Sequence, residues 1–152
     1  MMRAAPTTLR LANDDDLDAV CDMVRQQFRE EAPYLPVAES KLRGSVELCH
    51  SRQGVIVSCD DNGVPVGTLG IVTDAPFWSA RVWVIGIWHF VRQANRQETH
   101  MRTMLQAARV TAKQLHAPFR IEVWTSERTK GKLGLFRREF SDASGALFLS
   151  RD

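Results

Sequence analysis

The side chains of this 152-residue chain that could do chemistry near neutral pH are four histidines, three cysteines and a scatter of arginines and carboxylates. His89 stands near the end of the apolar stretch Val82 to Val91 (VWVIGIWHFV). An imidazole titrates close to working pH, so this is the best-placed group for moving a proton; the alternative is a structural histidine between Trp88 and Phe90. Glu122, with Thr125 and Ser126 beyond it, forms a second set, whose alternative is a surface glutamate and a helix cap. His50 and His116 fall at helix ends, where a histidine meets the dipole, and no chemistry is assigned to them. Cys21, Cys49 and Cys59 form no CxxC pair and are odd in number, which suits neither a disulfide framework nor a zinc site. They read as reduced core residues. No HExxH, Walker-type or GxSxG pattern occurs, so metal-dependent hydrolysis, nucleotide hydrolysis and serine-hydrolase chemistry lack support, and no metal is expected.

The chain has an ordinary globular composition, with 44% hydrophobic and 25% charged residues, and its length suits one core. No apolar run approaches the roughly 18 residues of a membrane span, and the start MMRAAPTTLR lacks the pattern of a signal peptide. A cytoplasmic location and no membrane partner are expected. Net charge is only +2, yet residues 1–60 are net acidic and residues 61–152 net basic, so an anionic partner should meet the C-terminal part. Arg128, Lys130, Lys132, Arg137 and Arg138 could form a nucleic-acid patch, but so small a net charge argues against it.

Periodicity supplies the elements. After a strand candidate at Leu9 to Leu11, the polar cluster Asn13 to Asp16 is suited to cap a helix. Leu17, Val20, Cys21, Val24 and Phe28 then form a helical stripe that ends before Pro33. A second helix runs from about Ala38 to His50. Residues 54–72 read as two strands around an Asp-Asn-Gly turn, a hairpin. Asp74 to Ala80 is a loop and Val82 to Val91 a central strand. Arg96 to His116 is helical, with Met101, Leu105, Ala108, Ala112 and Leu115 on one face. Phe119 to Thr125 is a strand parallel to the central one, because a helix links them. A short basic helix around Thr129 to Arg138, a turn at Ser141 to Gly145 and a last strand near Ala146 to Leu149 close the chain.

This order of elements resembles, over almost the whole chain, the GNAT superfamily of acyl-coenzyme A-dependent N-acyltransferases. The segment VWVIGIWHFVRQANRQETHMRTMLQAARVTAKQL is similar to that family's fourth strand, pyrophosphate loop and third helix, and KGKLGLFRREF to its last helix. The resemblance implies an α+β fold in a single domain over 1–152. Its GNAT-like mixed sheet would have antiparallel N-terminal strands and a central parallel pair, flanked by about four helices. It implies acetyl-coenzyme A as cofactor, held by Phe90, Val91, Arg92, Arg96, Gln97, Glu98, Thr99, His100, Met101 and Arg102. His100 would be a loop residue near the phosphates.

Two departures from the family stand in the sequence. Thr99 and Met101 occupy positions where members usually place Gly or Ala, and no glycine lies between Gly86 and Gly131. Phe136 stands where many members carry a tyrosine that reprotonates the leaving thiolate. The only tyrosine is Tyr34. The resemblance puts a base near the end of the fourth strand, where the parallel pair splays, which points to His89, with Glu122 second. Tyr34, Phe77 and Trp78 would border the substrate.

Two functions follow. One is an N-acetyltransferase that passes acetyl to an amine of a protein or small molecule by direct attack, with a backbone N–H of the splayed strand polarising the thioester. The other is a catalytically degenerate GNAT-fold module that binds a protein, of the divergent kind found in bacteriophages, in the virion or on host proteins. The partners implied are an acyl-CoA and an amine acceptor, or a protein; a homodimer is left open.

Overall fold

The structure is a computed structural model that describes residues 8–96, 99–123 and 129–140, the first two residues of the last segment by backbone only. In chain order it holds β1 (Thr8–Leu11), α1 (Leu17–Glu31), α2 (Glu39–Ser51), β2 (Val55–Cys59), β3 (Pro65–Asp74), β4 (Trp83–Val91), α3 (His100–Gln114), β5 (Phe119–Ile121) and α4 (Thr129–Glu139). The sheet order is β1-β2-β3-β4-β5, antiparallel throughout except for the parallel pair β4 and β5.

Local chemistry accounts for the elements. The Asp16 carboxylate accepts the Asn13 N–H at 2.8 Å and is clamped by Arg10, which closes the entry to α1. The β2–β3 turn forms because the Asp60 side chain accepts the N–H groups of Asn62 and Val64, and Gly63 takes φ +77°. The apolar stripes of α1 and α2 pack Val20, Val24 and Val46 on Val55, Val57 and Trp88. On the other face of the sheet, α3 packs Met104 and Ala108 on Ile56, Leu69 and Val91. The three cysteines are free and buried, as expected of core residues, and burial pushes their thiols up.

The feature that shapes the site is an irregularity in β4. Gly70 faces Trp88 and Ile71 faces Gly86, so Ile87 is an extra residue, a bulge. β5 pairs with β4 only over Val84, Ile85 and Gly86. Beyond Gly86 the two strands part, and β4 runs on to Val91.

Several expectations are corrected. α3 starts at His100 rather than Arg96, because Gln93 to Asn95 forms a separate short 3-10 turn. Leu115 lies past its end and is exposed. β5 stops at Ile121, not Thr125. In α1 the buried face carries Met23, Gln27 and Glu31, while Phe28 turns outward. Residues 124–128, the turn at Ser141 to Gly145 and the strand at Ala146 to Leu149 lie outside the described residues.

Candidate functional site

Where β5 leaves, the exposed edge of β4 is met by side chains of α1. Gln27 Oε1 accepts the backbone N–H of His89 at 2.9 Å, and Gln27 Nε2 donates to both oxygens of Glu31 at 3.2 and 3.3 Å. Lys132 Nζ, from α4, reaches Glu31 Oε1 at 3.1 Å. A buried polar chain thus runs from the strand edge to α4. Burial pushes the Glu31 carboxyl above its usual range, and the Lys132 ammonium acts against that shift.

His89 is 2% exposed. Its Nε2 lies 3.1 Å from the Glu122 carbonyl oxygen. A carbonyl only accepts, so Nε2 carries the ring proton and Nδ1 presents a lone pair. That Nδ1 is buried and has no hydrogen-bond partner among the described residues. The ring packs 5.0 Å from Phe136. Burial lowers the pKa to about 4, with the Glu122 carbonyl opposing, so the imidazole is neutral at working pH. A buried, neutral ring is a weak proton acceptor near pH 7, which weighs against the expected base role of His89. Glu122 contributes its carbonyl here, while its side chain is exposed.

A cleft of about 300 Å³ opens between the end of β4, the first turn of α3 and α4. Its walls are His89, Phe90, Val91, Met101, Leu135 and Phe136, and its charges are Arg96, Arg102, Lys132 and Arg138. The three arginines expected at a phosphate each hold a carboxylate. Arg92 pairs with Asp22 at 3.1 Å and Arg102 with Glu139 at 3.0 Å. Arg96 binds Glu30 at 2.7 Å, donates to the Val91 carbonyl at 2.9 Å and lies 5.2 Å over the Phe90 ring.

At the start of α3, Thr99 is exposed and Met101 partly buried. His100 turns inward, with Nδ1 2.5 Å from Ser58 Oγ, both residues buried; it is not a loop residue facing a ligand, because its ring anchors α3 on β2. Gln97 and Glu98 lie outside the described residues, as do Thr125 and Ser126.

A second groove, of about 380 Å³, lies between α1, α2 and the bulge of β4. Val24, Phe28, Ala32, Leu42, Ile87 and Trp88 make it apolar, and Lys41 and Ser45 stand at its polar edge. Tyr34 is exposed, one residue from the groove residue Leu35. Phe77 and Trp78 are exposed in the β3–β4 connection, with Trp78 edge-on to Trp83 at 5.4 Å. They sit toward the other end of β4, about 20 Å from His89 along the strand.

Sequence reasoning missed Gln27 and Glu31, and singled out Lys132 only as part of a basic patch. A signal existed, because Val20, Val24, Gln27 and Glu31 continue one stripe of α1, and polar residues at core positions of a helix call for polar partners.

The fold defines a class: a mixed sheet with a bulged, splayed parallel pair and a helix starting at its mouth is the GNAT-like α+β fold. No protein-family model matches the sequence, and no curated protein does. Solved structures do match. AAC(6')-Iy, in complex with the bisubstrate analogue CoA-S-monomethyl-acetylneamine, superposes with a TM-score of 0.73 at 14% identity, over 97% of this chain and 99% of that one. A protein described as a predicted acetyltransferase, with acetyl-CoA, from Clostridium acetobutylicum gives 0.72 at 12%, over 95% and 96%. AAC(6')-Ih from Acinetobacter baumannii gives 0.70 at 8%, over 97% and 99%. At these identities the likeness is one of fold. Among the described residues no helix is long and apolar enough to cross a membrane, and no group of three His, Cys, Asp or Glu could hold a metal ion.

Proposed function

We propose that the protein is an acetyl-coenzyme A-dependent N-acetyltransferase. The observation that carries this reading is the cleft between the splayed end of β4, the start of α3 and α4. The residues present suit the cofactor. Phe90, Val91, Leu135 and Phe136 offer apolar walls to a pantetheine arm, and Arg102, Lys132 and Arg138 line the cleft, the first two paired with Glu139 and Glu31. The first turn of α3 leaves the N–H groups of Met101 and Arg102 without intrahelical acceptors, as a phosphate requires. When bound, acetyl-coenzyme A supplies an acetyl group activated as a thioester.

The chain's own residues do the rest by placement. Among the described residues β4 past Gly86 has no strand neighbour on this side, and a ligand lying along its edge meets the His89 N–H that Gln27 holds. Neutral His89 ties that edge to the Glu122 carbonyl and sets the width of the wedge. The apolar groove between α1 and α2 ends at Ile87 and Trp88, beside His89, and holds the body of the acceptor amine. Its lining contains one lysine and no carboxylate, which supports an amine with an apolar body over a polycationic one. A cytoplasmic location, where the cysteines stay reduced, goes with this reading.

One observation favours the second reading, a protein-binding module without cofactor: Arg92, Arg96 and Arg102 are each neutralised by a carboxylate of the chain. Calorimetric titration with acetyl-coenzyme A separates the two. Saturable micromolar binding is expected, and a flat trace at millimolar ligand would leave the binding module.

A further inference from the structure

Resting on that reading, we propose that Glu31 and Lys132 work as a coupled pair, Glu31 taking the proton that the acceptor amine loses and Lys132 supplying one to the departing sulfur. Few side chains at the cleft can give a proton. Arginine does not release one in proteins, which removes Arg96, Arg102 and Arg138. The single ring proton of His89 is held by the Glu122 carbonyl, and Phe136 has none. Lys132 is the remaining donor among the described residues of the lining. It sits one turn before Phe136 on α4, so both share the face toward β4.

The proton acceptor follows from the same contact. Glu31 is buried, and Gln27 links it to the His89 N–H on the β4 edge, along which this reading lays the reactants. The Lys132 ammonium sits on this carboxylate at 3.1 Å, so the proton acceptor and the proton donor are in direct contact. The other charges close by are Glu30 on α1 and Arg96 after β4, which bind each other, and His89 is neutral.

The step balances. For a neutral amine, the C–N bond forms and the C–S bond breaks; Glu31 gains the proton leaving nitrogen, and Lys132 gives one to sulfur. The Glu31 proton then crosses the 3.1 Å contact to Lys132, which restores carboxylate and ammonium without drawing on solvent.

The first test needs no acceptor. Coenzyme A is bound to the protein and the thiolate absorbance of its sulfur is followed against pH. Lys132→Met should raise the apparent thiol ionisation point by one unit or more, while Lys132→Arg, which keeps the charge, should leave it low. With acetyl-coenzyme A and phenethylamine as substrates, Lys132→Arg and Glu31→Gln should each lower kcat at least tenfold at unchanged acetyl-coenzyme A affinity. If Lys132→Met fails to fold because Glu31 is left alone, the double variant Glu31→Gln/Lys132→Met removes both charges and serves in its place. An unmoved thiol ionisation in the lysine variant would overturn the pair. Failure of the wild-type protein to bind coenzyme A would instead overturn the acetyltransferase reading.

Discussion

Nη2 of Arg96 lies 2.7 Å from each carboxylate oxygen of Glu30, a residue 66 positions earlier in the chain, while its Nε donates to the Val91 carbonyl. The guanidinium therefore fastens the end of β4 to α1. It was expected on sequence grounds as a phosphate ligand, and the structure gives it a fold-holding task as well. Arg96→Glu should lower stability by about 2–4 kcal/mol, since it sets two carboxylates against each other in a half-buried site. In urea denaturation, a double-mutant cycle of Arg96→Ala with Glu30→Ala should show coupling of about 1–2 kcal/mol. Strict additivity would mean that the contact carries no energy.

The buried imidazole makes a pH prediction. His89 titrates near 4 in the folded protein against 6.5 in the open chain, so between those values the unfolded state binds a proton that the folded state refuses. Stability should fall as pH drops from 6.5 to about 4, by up to about 3 kcal/mol, and the His89 contribution should level off below that. Glu31 has the opposite sign: its raised carboxyl contributes stability at low pH that is lost as pH rises through its folded value. Subtracting the curve of His89→Gln isolates the histidine. A difference that does not vary between pH 4 and 6.5 would show that the ring protonates normally.

The apolar groove can be closed from its edge. Ser45 is exposed on α2 at that edge, so Ser45→Trp should lay an indole across the groove and change stability by no more than about 0.5 kcal/mol. KM for phenethylamine should rise at least tenfold while the affinity for acetyl-coenzyme A, measured by calorimetry, stays within twofold. An unchanged KM would place the acceptor elsewhere.

Two glycines should respond with opposite signs. A β-carbon on Gly70 would overlap the Trp88 ring, which is pinned by its Nε1 donating to Thr68 Oγ1 at 3.1 Å. Gly70→Ala should cost about 1–3 kcal/mol through overpacking. Gly44, in α2, has open space where its β-carbon would go, and Gly44→Ala should stabilise by up to about 1 kcal/mol. Thermal melts of the two variants should move in opposite directions; a common direction would contradict the packing at Gly70.

Much of the fold was legible because it is written in short-range patterns. The hairpin follows from Asp60, Asn62 and Gly63, the central strand from its apolar run, and the helices from stripes of period 3.6. The parallel placement of β4 and β5 followed from the helix between them. Boundaries went astray where a tertiary event intervened: β5 ends early because the strands part, and α3 starts late because a separate turn precedes it. Phe28 looked like a core residue by spacing, yet it faces the groove between two helices.

At the site, residue types set what chemistry was conceivable, and spacing placed His89, Arg96 and Met101 near one another in the chain. Which charges neutralise each other depended on contacts that spacing does not encode. Glu31 and Lys132 are 101 residues apart, and no local pattern joins them. Whether an imidazole is a base or a neutral spacer is set by how much water reaches it, and burial is a property of the packed molecule. The sequence by itself determined a mixed sheet with a helix opening at the end of its central strand. Only the tertiary structure decided which polar groups stand at that opening, because electrostatic energy depends on distance and solvation, and both exist only once the chain has closed on itself.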